Sequence, residues 1–86
     1  MAEIINNEKG FKVIKVSMVE CTHWGGWGIC DWCNECVGSH GYYVAVLNTV
    51  MCEKCYKEWY DHATYYPEDK RIEDGHFAYM KNILNL

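Results

Sequence analysis

Two cysteine pairs constrain this chain more than anything else in it. Cys30-Asp31-Trp32-Cys33 opens a segment that Cys52-Glu53-Lys54-Cys55 closes, with eighteen residues between the pairs. Each Cys-x-x-Cys can curl through one tight turn so that both sulfurs face a single point, and two such turns make a tetrahedral four-sulfur cage. Zn²⁺ suits such a cage, because it accepts four sulfur or nitrogen ligands and brings no redox chemistry of its own. Two pairs held 15 to 20 residues apart (about this range) is a zinc-binding spacing. A disulfide framework, or scattered buried thiols, is the competing reading.

The residues between the pairs set the expected local fold. Gly38 to Gly41 is turn chemistry, Tyr42 to Leu47 is aromatic and β-branched and reads as a strand, and Asn48-Thr49 turns into a short return strand at Val50-Met51. The second pair runs into Tyr56-Lys57-Glu58-Trp59-Tyr60-Asp61-His62-Ala63, where apolar residues recur at helical spacing opposite a charged face. Pro67 is expected to stop this helix near Tyr65-Tyr66. The order is therefore knuckle, hairpin, and a helix with the second pair in its first turn.

That order resembles the treble-clef zinc fold, as in GATA-type fingers and the second zinc module of LIM domains, over Cys30 to about Tyr66. The chain is also similar to small uncharacterised bacterial zinc-finger proteins that carry Gly-Trp-Gly-x-Cys-Asp-x-Cys and Met-Cys-Glu-Lys-Cys-Tyr segments, a likeness that implies no activity. The treble-clef resemblance implies that Cys30, Cys33, Cys52 and Cys55 are ligands to one structural Zn²⁺. The ligand set suits Fe²⁺ as well; zinc is expected because a treble clef is a structural zinc fold. Lys54 and Lys57 are placed to offset the negative charge of four thiolates, or are simply solvated helix residues. Cys36 leaves an alternative open, since Cys33-x-x-Cys36 is also a knuckle; Cys30/Cys33 is preferred because Gly28-Ile29 before it and the longer loop after it suit a hairpin returning to Cys52. Cys21, His23, Cys36 and His40 have the residue types for a second site but irregular spacing, so Cys21 and Cys36 are expected to be small buried hydrophobes, with a Cys21–Cys36 disulfide as a minor option.

Outside the finger, Asn6 to Gly10 reads as a turn. Phe11 to Val19 reads as a strand that pairs with Ile4-Ile5 as a hairpin or joins the finger's sheet. Trp24-Gly25-Gly26-Trp27-Gly28 reads as an aromatic cap over a small core or as a partner-binding surface, with Trp24 the first candidate contact and Trp27 the second. Pro67-Glu68-Asp69 starts a C-terminal helix in which Ile72, His76, Tyr79, Met80, Ile83 and Leu84 form an apolar stripe and Gly75 permits a break. His62 and His76 are expected at the edge of the core rather than on a metal. The whole is expected to be one small α+β, metal-stapled domain over residues 1–86: an N-terminal strand or hairpin (1–20), the zinc-finger module (21–66) and a C-terminal helix (67–86).

Charge and length bear on function. With 86 residues the core is small and a staple is needed, while four Trp and seven Tyr argue against disorder. The net charge is −4. Between Cys21 and Tyr66 only Lys54 and Lys57 are cationic, against Asp31, Glu35, Glu53, Glu58 and Asp61. A DNA-binding module needs clustered Lys and Arg, so a nucleic-acid-binding transcriptional regulator is the disfavoured alternative, and the chain departs here from GATA-type fingers. A four-cysteine shell leaves no open catalytic position and no nucleophile–base pair is recognisable. The expectation is a non-enzymatic zinc-finger module that binds a protein partner, as a monomer or weak homodimer, with a thiol redox sensor as a further alternative. The N-terminal stretch has no basic start and no long apolar run, and six cysteines without a secretion signal point to a reducing compartment, the cytoplasm.

Overall fold

The computed structural model describes residues 2–86. Its elements run β1 (Glu3–Ile5), β2 (Val13–Val16), a single helical turn α1 (Met18–Cys21) continued by a 3-10 turn at Thr22–Trp24, β3 (Gly41–Val44), β4 (Thr49–Cys52), α2 (Glu53–His62), a 3-10 turn at Pro67–Asp69, and α3 (Lys70–Leu84). The four strands form one antiparallel sheet in the order β1-β2-β3-β4. Ile4 pairs with Ile14, Ile14 with Tyr43, and Tyr43 with Val50, so one row of apolar side chains crosses the whole sheet. The N-terminal strand thus forms a hairpin with Ile4-Ile5 and also joins the sheet of the cysteine segment.

Successive strand residues face opposite sides, and here both sides are covered. Val13, Ile14, Val16, Tyr43, Val44, Val50 and Met51 are all buried. On the face that carries Tyr42, α2 lies close: the Tyr42 and Tyr56 rings stack 4.4 Å apart. On the face that carries Tyr43, Trp24 packs with its ring 6.2 Å away, and α3 lies beside this 3-10 turn. Burial on both faces explains the nearly unbroken apolar run of β2, which carries no strict alternation.

Several expected boundaries move. The strand expected to reach Val19 stops at Val16, because Ser17 caps α1 with a reciprocal box: its hydroxyl accepts the Glu20 N–H at 3.3 Å and the Glu20 carboxylate accepts the Ser17 N–H at 2.9 Å. The strand expected to reach Leu47 ends at Val44, where Leu47 N–H and Asn48 N–H turn back to Val44 and Ala45 carbonyls and Asn48 takes φ +53°. Helix α2 ends at His62 rather than near Tyr66. Lys9 accounts for this: its ammonium donates to the last carbonyls, those of Tyr60 and, at 3.0 Å, Ala63, where a cation is favoured by the helix dipole.

The C-terminal helix is unbroken at Gly75, and its buried stripe differs from the expected one. Ile72 and Tyr79 are exposed, whereas Glu73 and Met80 are buried and Phe77, Ile83 and Leu84 pack against the core. The displaced stripe follows from Glu73, whose carboxylate accepts the Lys12 N–H at 2.9 Å and the Tyr65 hydroxyl at 3.4 Å. His76 sits half-buried, and its Nδ1–H donates to the Ala45 carbonyl at 2.7 Å, whereas His62 is exposed.

Candidate metal centre

The sequence dictates a tight turn at the first cysteine pair. Asn34 adopts φ +62°, a left-handed conformation that Asn tolerates well, and its N–H returns to the Cys30 carbonyl at 2.9 Å. Cys30 N–H donates to the Glu35 carbonyl at 2.8 Å, and Ile29 bridges to Cys36. Inside the turn, Trp32 N–H points at Cys30 Sγ at 3.4 Å. The knuckle is lashed to the sheet by Asp31: its N–H donates to the Val50 carbonyl at 2.8 Å and its carboxylate accepts the Val50 N–H at 2.9 Å. Trp32 adds a third tie, its indole N–H meeting Met51 Sδ at 2.7 Å.

The second pair straddles the start of α2. Cys52 is the N-cap residue and Cys55 lies in the first turn, where unpaired N–H groups and the positive end of the helix dipole favour a thiolate. The strand β4 delivers Cys52 beside the knuckle, and the four sulfurs of Cys30, Cys33, Cys52 and Cys55 all fall within 4.8 Å of one another. Cys33 and Cys52 are 3.7 Å apart. A metal–sulfur bond of about 2.3 Å in a tetrahedron requires sulfur–sulfur edges of about 3.8 Å, whereas a disulfide requires about 2.0 Å. The spacing and the all-thiol donor set therefore fit a tetrathiolate metal site.

The electrostatics of the bare thiols fit the same use. Burial pushes Cys30 up, yet the N–H groups of Cys52, Cys33 and Trp32 outweigh it and hold this thiol at about 7. Cys55 goes the other way, raised by desolvation and then by the sulfurs of Cys52 and Cys33. The cluster ionises one thiol readily and resists the next, so a divalent cation supplies the charge that further ionisation needs.

The other nominated residues lie elsewhere. Cys36 is exposed, 3.5 Å from Met18 Sδ, and Cys21 is buried, its thiol pushed up to about 11 by burial and the nearby Glu20 charge. Neither joins His23 or His40 in a converging group among the described residues. Lys57 pairs with Glu53 at 3.0 Å on the exposed side of α2. Trp24, expected first at the surface, is half-buried against Tyr43; Trp27 is 87% exposed. A cleft of about 170 Å³ runs between these two rings, with Cys21 and Asp31 in its walls. The sequence reading passed over Asp31 and Trp32 as structural residues. Their position inside Cys-x-x-Cys was the available signal, since a curled knuckle turns those two side chains back toward its support.

Comparison with protein-family models, curated sequences and solved structures finds no match for this chain.

Proposed function

We propose that this protein is a non-enzymatic zinc-finger module in which one structural Zn²⁺, held by Cys30, Cys33, Cys52 and Cys55, fixes a surface for another protein. The convergence of four thiols within 4.8 Å carries this reading. The succession of knuckle, β3–β4 hairpin and α2 supports a treble-clef arrangement. Four protein ligands close the coordination shell, which argues for structure over catalysis. The buried Cys21, with its raised thiol pKa, is a poor redox sensor, since the thiolate is the reactive form.

Nucleic acid is a poor fit for the partner because the chain is acidic overall, with a net charge of −4, and four of its eight cations are engaged within the fold. Lys12 and Lys70 pair with Asp74, Lys57 pairs with Glu53, and Lys9 caps α2. A protein partner suits the exposed Trp27, an aromatic residue of the type that dominates binding hot spots.

Cobalt titration tests the metal reading. One equivalent of Co²⁺ should give the intense sulfur-to-cobalt absorption of a four-thiolate tetrahedron, and Cys33→Ser should weaken it, while Cys36→Ser leaves it intact. Loss of the spectrum in Cys36→Ser but not Cys33→Ser would sink the ligand assignment.

A further inference from the structure

Beside the four cysteines lies a second cleft, of about 260 Å³, walled by Trp32, Trp59, Glu58 and Cys55. It is smaller than the pockets of about 300–1,000 Å³ that take drug-sized molecules, and it suits the head of one side chain. Its two aromatic walls are held in place. Trp32, 57% exposed, is tied through its indole N–H to Met51 Sδ. The Trp59 ring lies 4.8 Å from Phe11 and 6.1 Å from Tyr56. Walls that need no ordering on binding conserve affinity.

Every wall attracts positive charge. Indole faces carry a negative quadrupole that draws cations. Glu58 is exposed on α2, and its carboxylate makes no hydrogen bond or ion pair among the described residues; Lys57 is occupied by Glu53, and Lys54, one turn earlier, forms no ion pair with Glu58. Cys55 belongs to a cluster that, as a tetrathiolate around a divalent ion, carries a formal charge of about −2. The whole chain adds a net charge of −4.

We infer that the Trp32–Trp59 cleft binds an arginine side chain presented by a partner protein, a reading that rests on the metal centre proposed above. Arginine fits better than lysine, because a planar guanidinium stacks on an indole face and forks onto a carboxylate at the same time. The site thereby gives the partner a chemistry: an exposed arginine on a basic segment.

The test uses zinc-loaded protein whose metal content is measured on the same sample. A short acetylated peptide amide with one central arginine is titrated against a twin in which neutral citrulline replaces it, with heteronuclear NMR following the four indole N–H signals. The arginine peptide should move the Trp32 and Trp59 signals saturably and leave Trp24 and Trp27 in place, and the citrulline twin should move none. Glu58→Gln, an exposed change that spares the fold, should weaken binding by about fivefold, the scale of a surface ion pair, and added salt should weaken it further. Zinc-loaded protein that ignores both peptides, answers both alike, or answers at Trp24 and Trp27 overturns this inference alone. A sample that holds no metal overturns the metal reading and this inference together.

Discussion

Glu73 shows how far a single residue can depart from its local pattern. It lies in the first turn of α3, yet it is fully buried, accepting hydrogen bonds from Lys12 N–H and the Tyr65 hydroxyl. Glu73→Ala leaves the half-buried Lys12 N–H without its carboxylate partner, a loss of about 1–3 kcal/mol; chemical denaturation should show a lowered midpoint, and an unchanged midpoint would remove Glu73 from the account. Gly28 is a second such position. It holds φ +70°, and a Cβ there would lie 2.4 Å from Met18 Cβ. Gly28→Ala should cost at least about 1–3 kcal/mol through strain and displacement of α1, read as a fall in thermal midpoint. The convergence of two cysteine pairs was legible in their spacing, although that spacing left Cys36 open as an alternative to Cys30 in the first knuckle. Glu73 was not, because its burial depends on an orphan N–H sixty-one residues away in the chain.

At the scale of elements, the strands and helices were legible where the cause is local and their ends were not where the cause is distant. Turn chemistry at Asn6 to Gly10 held: Asn7 receives the Phe11 N–H at 3.0 Å and Gly10 takes φ +85°. The Ser17–Glu20 capping box was readable as Ser-x-x-Glu and was masked by the apolar run around it. The end of α2 was not readable, since it is set by Lys9 arriving from the β1–β2 turn. The link between β2 and α3 carries a pH signature. The Lys12 and Lys70 ammonium groups hold the Asp74 carboxyl below its ordinary value, Lys12 contributing most. A carboxyl with a lowered folded-state pKa adds stability that is in place above the ordinary aspartate value of about 4 and is lost as the pH falls through the lower folded value. Asp74→Asn should therefore flatten the decline in stability on acidification below about pH 4, measured as denaturation midpoint against pH; an identical acid slope in the variant would contradict the pairing.

Across the whole molecule, the covered sheet and the cysteine cluster divide the task of holding the chain. Tyr43, Ile14, Met51 and Val13 fill the core between the layers, while β4 carries core residues at one step and Cys52 at its end, so the sheet and the cluster share a backbone. The small α+β character was legible from the strand and helix patterns; its four-strand order was open because β2 could have paired on one side only. No helix among the described residues is long and apolar enough to cross a membrane. Under the proposal above, a structural metal supplies this small core with a large share of its folding energy; apparent binding energies run to about 10–16 kcal/mol in small zinc peptides. The most direct test of that central claim is a native mass spectrum paired with a heteronuclear NMR spectrum, each recorded before and after chelation. The account predicts one zinc per chain and a dispersed spectrum that collapses when the metal is removed. A protein that carries no metal and has lost hydrogens to disulfides, or one whose spectrum stays dispersed after chelation, would contradict it.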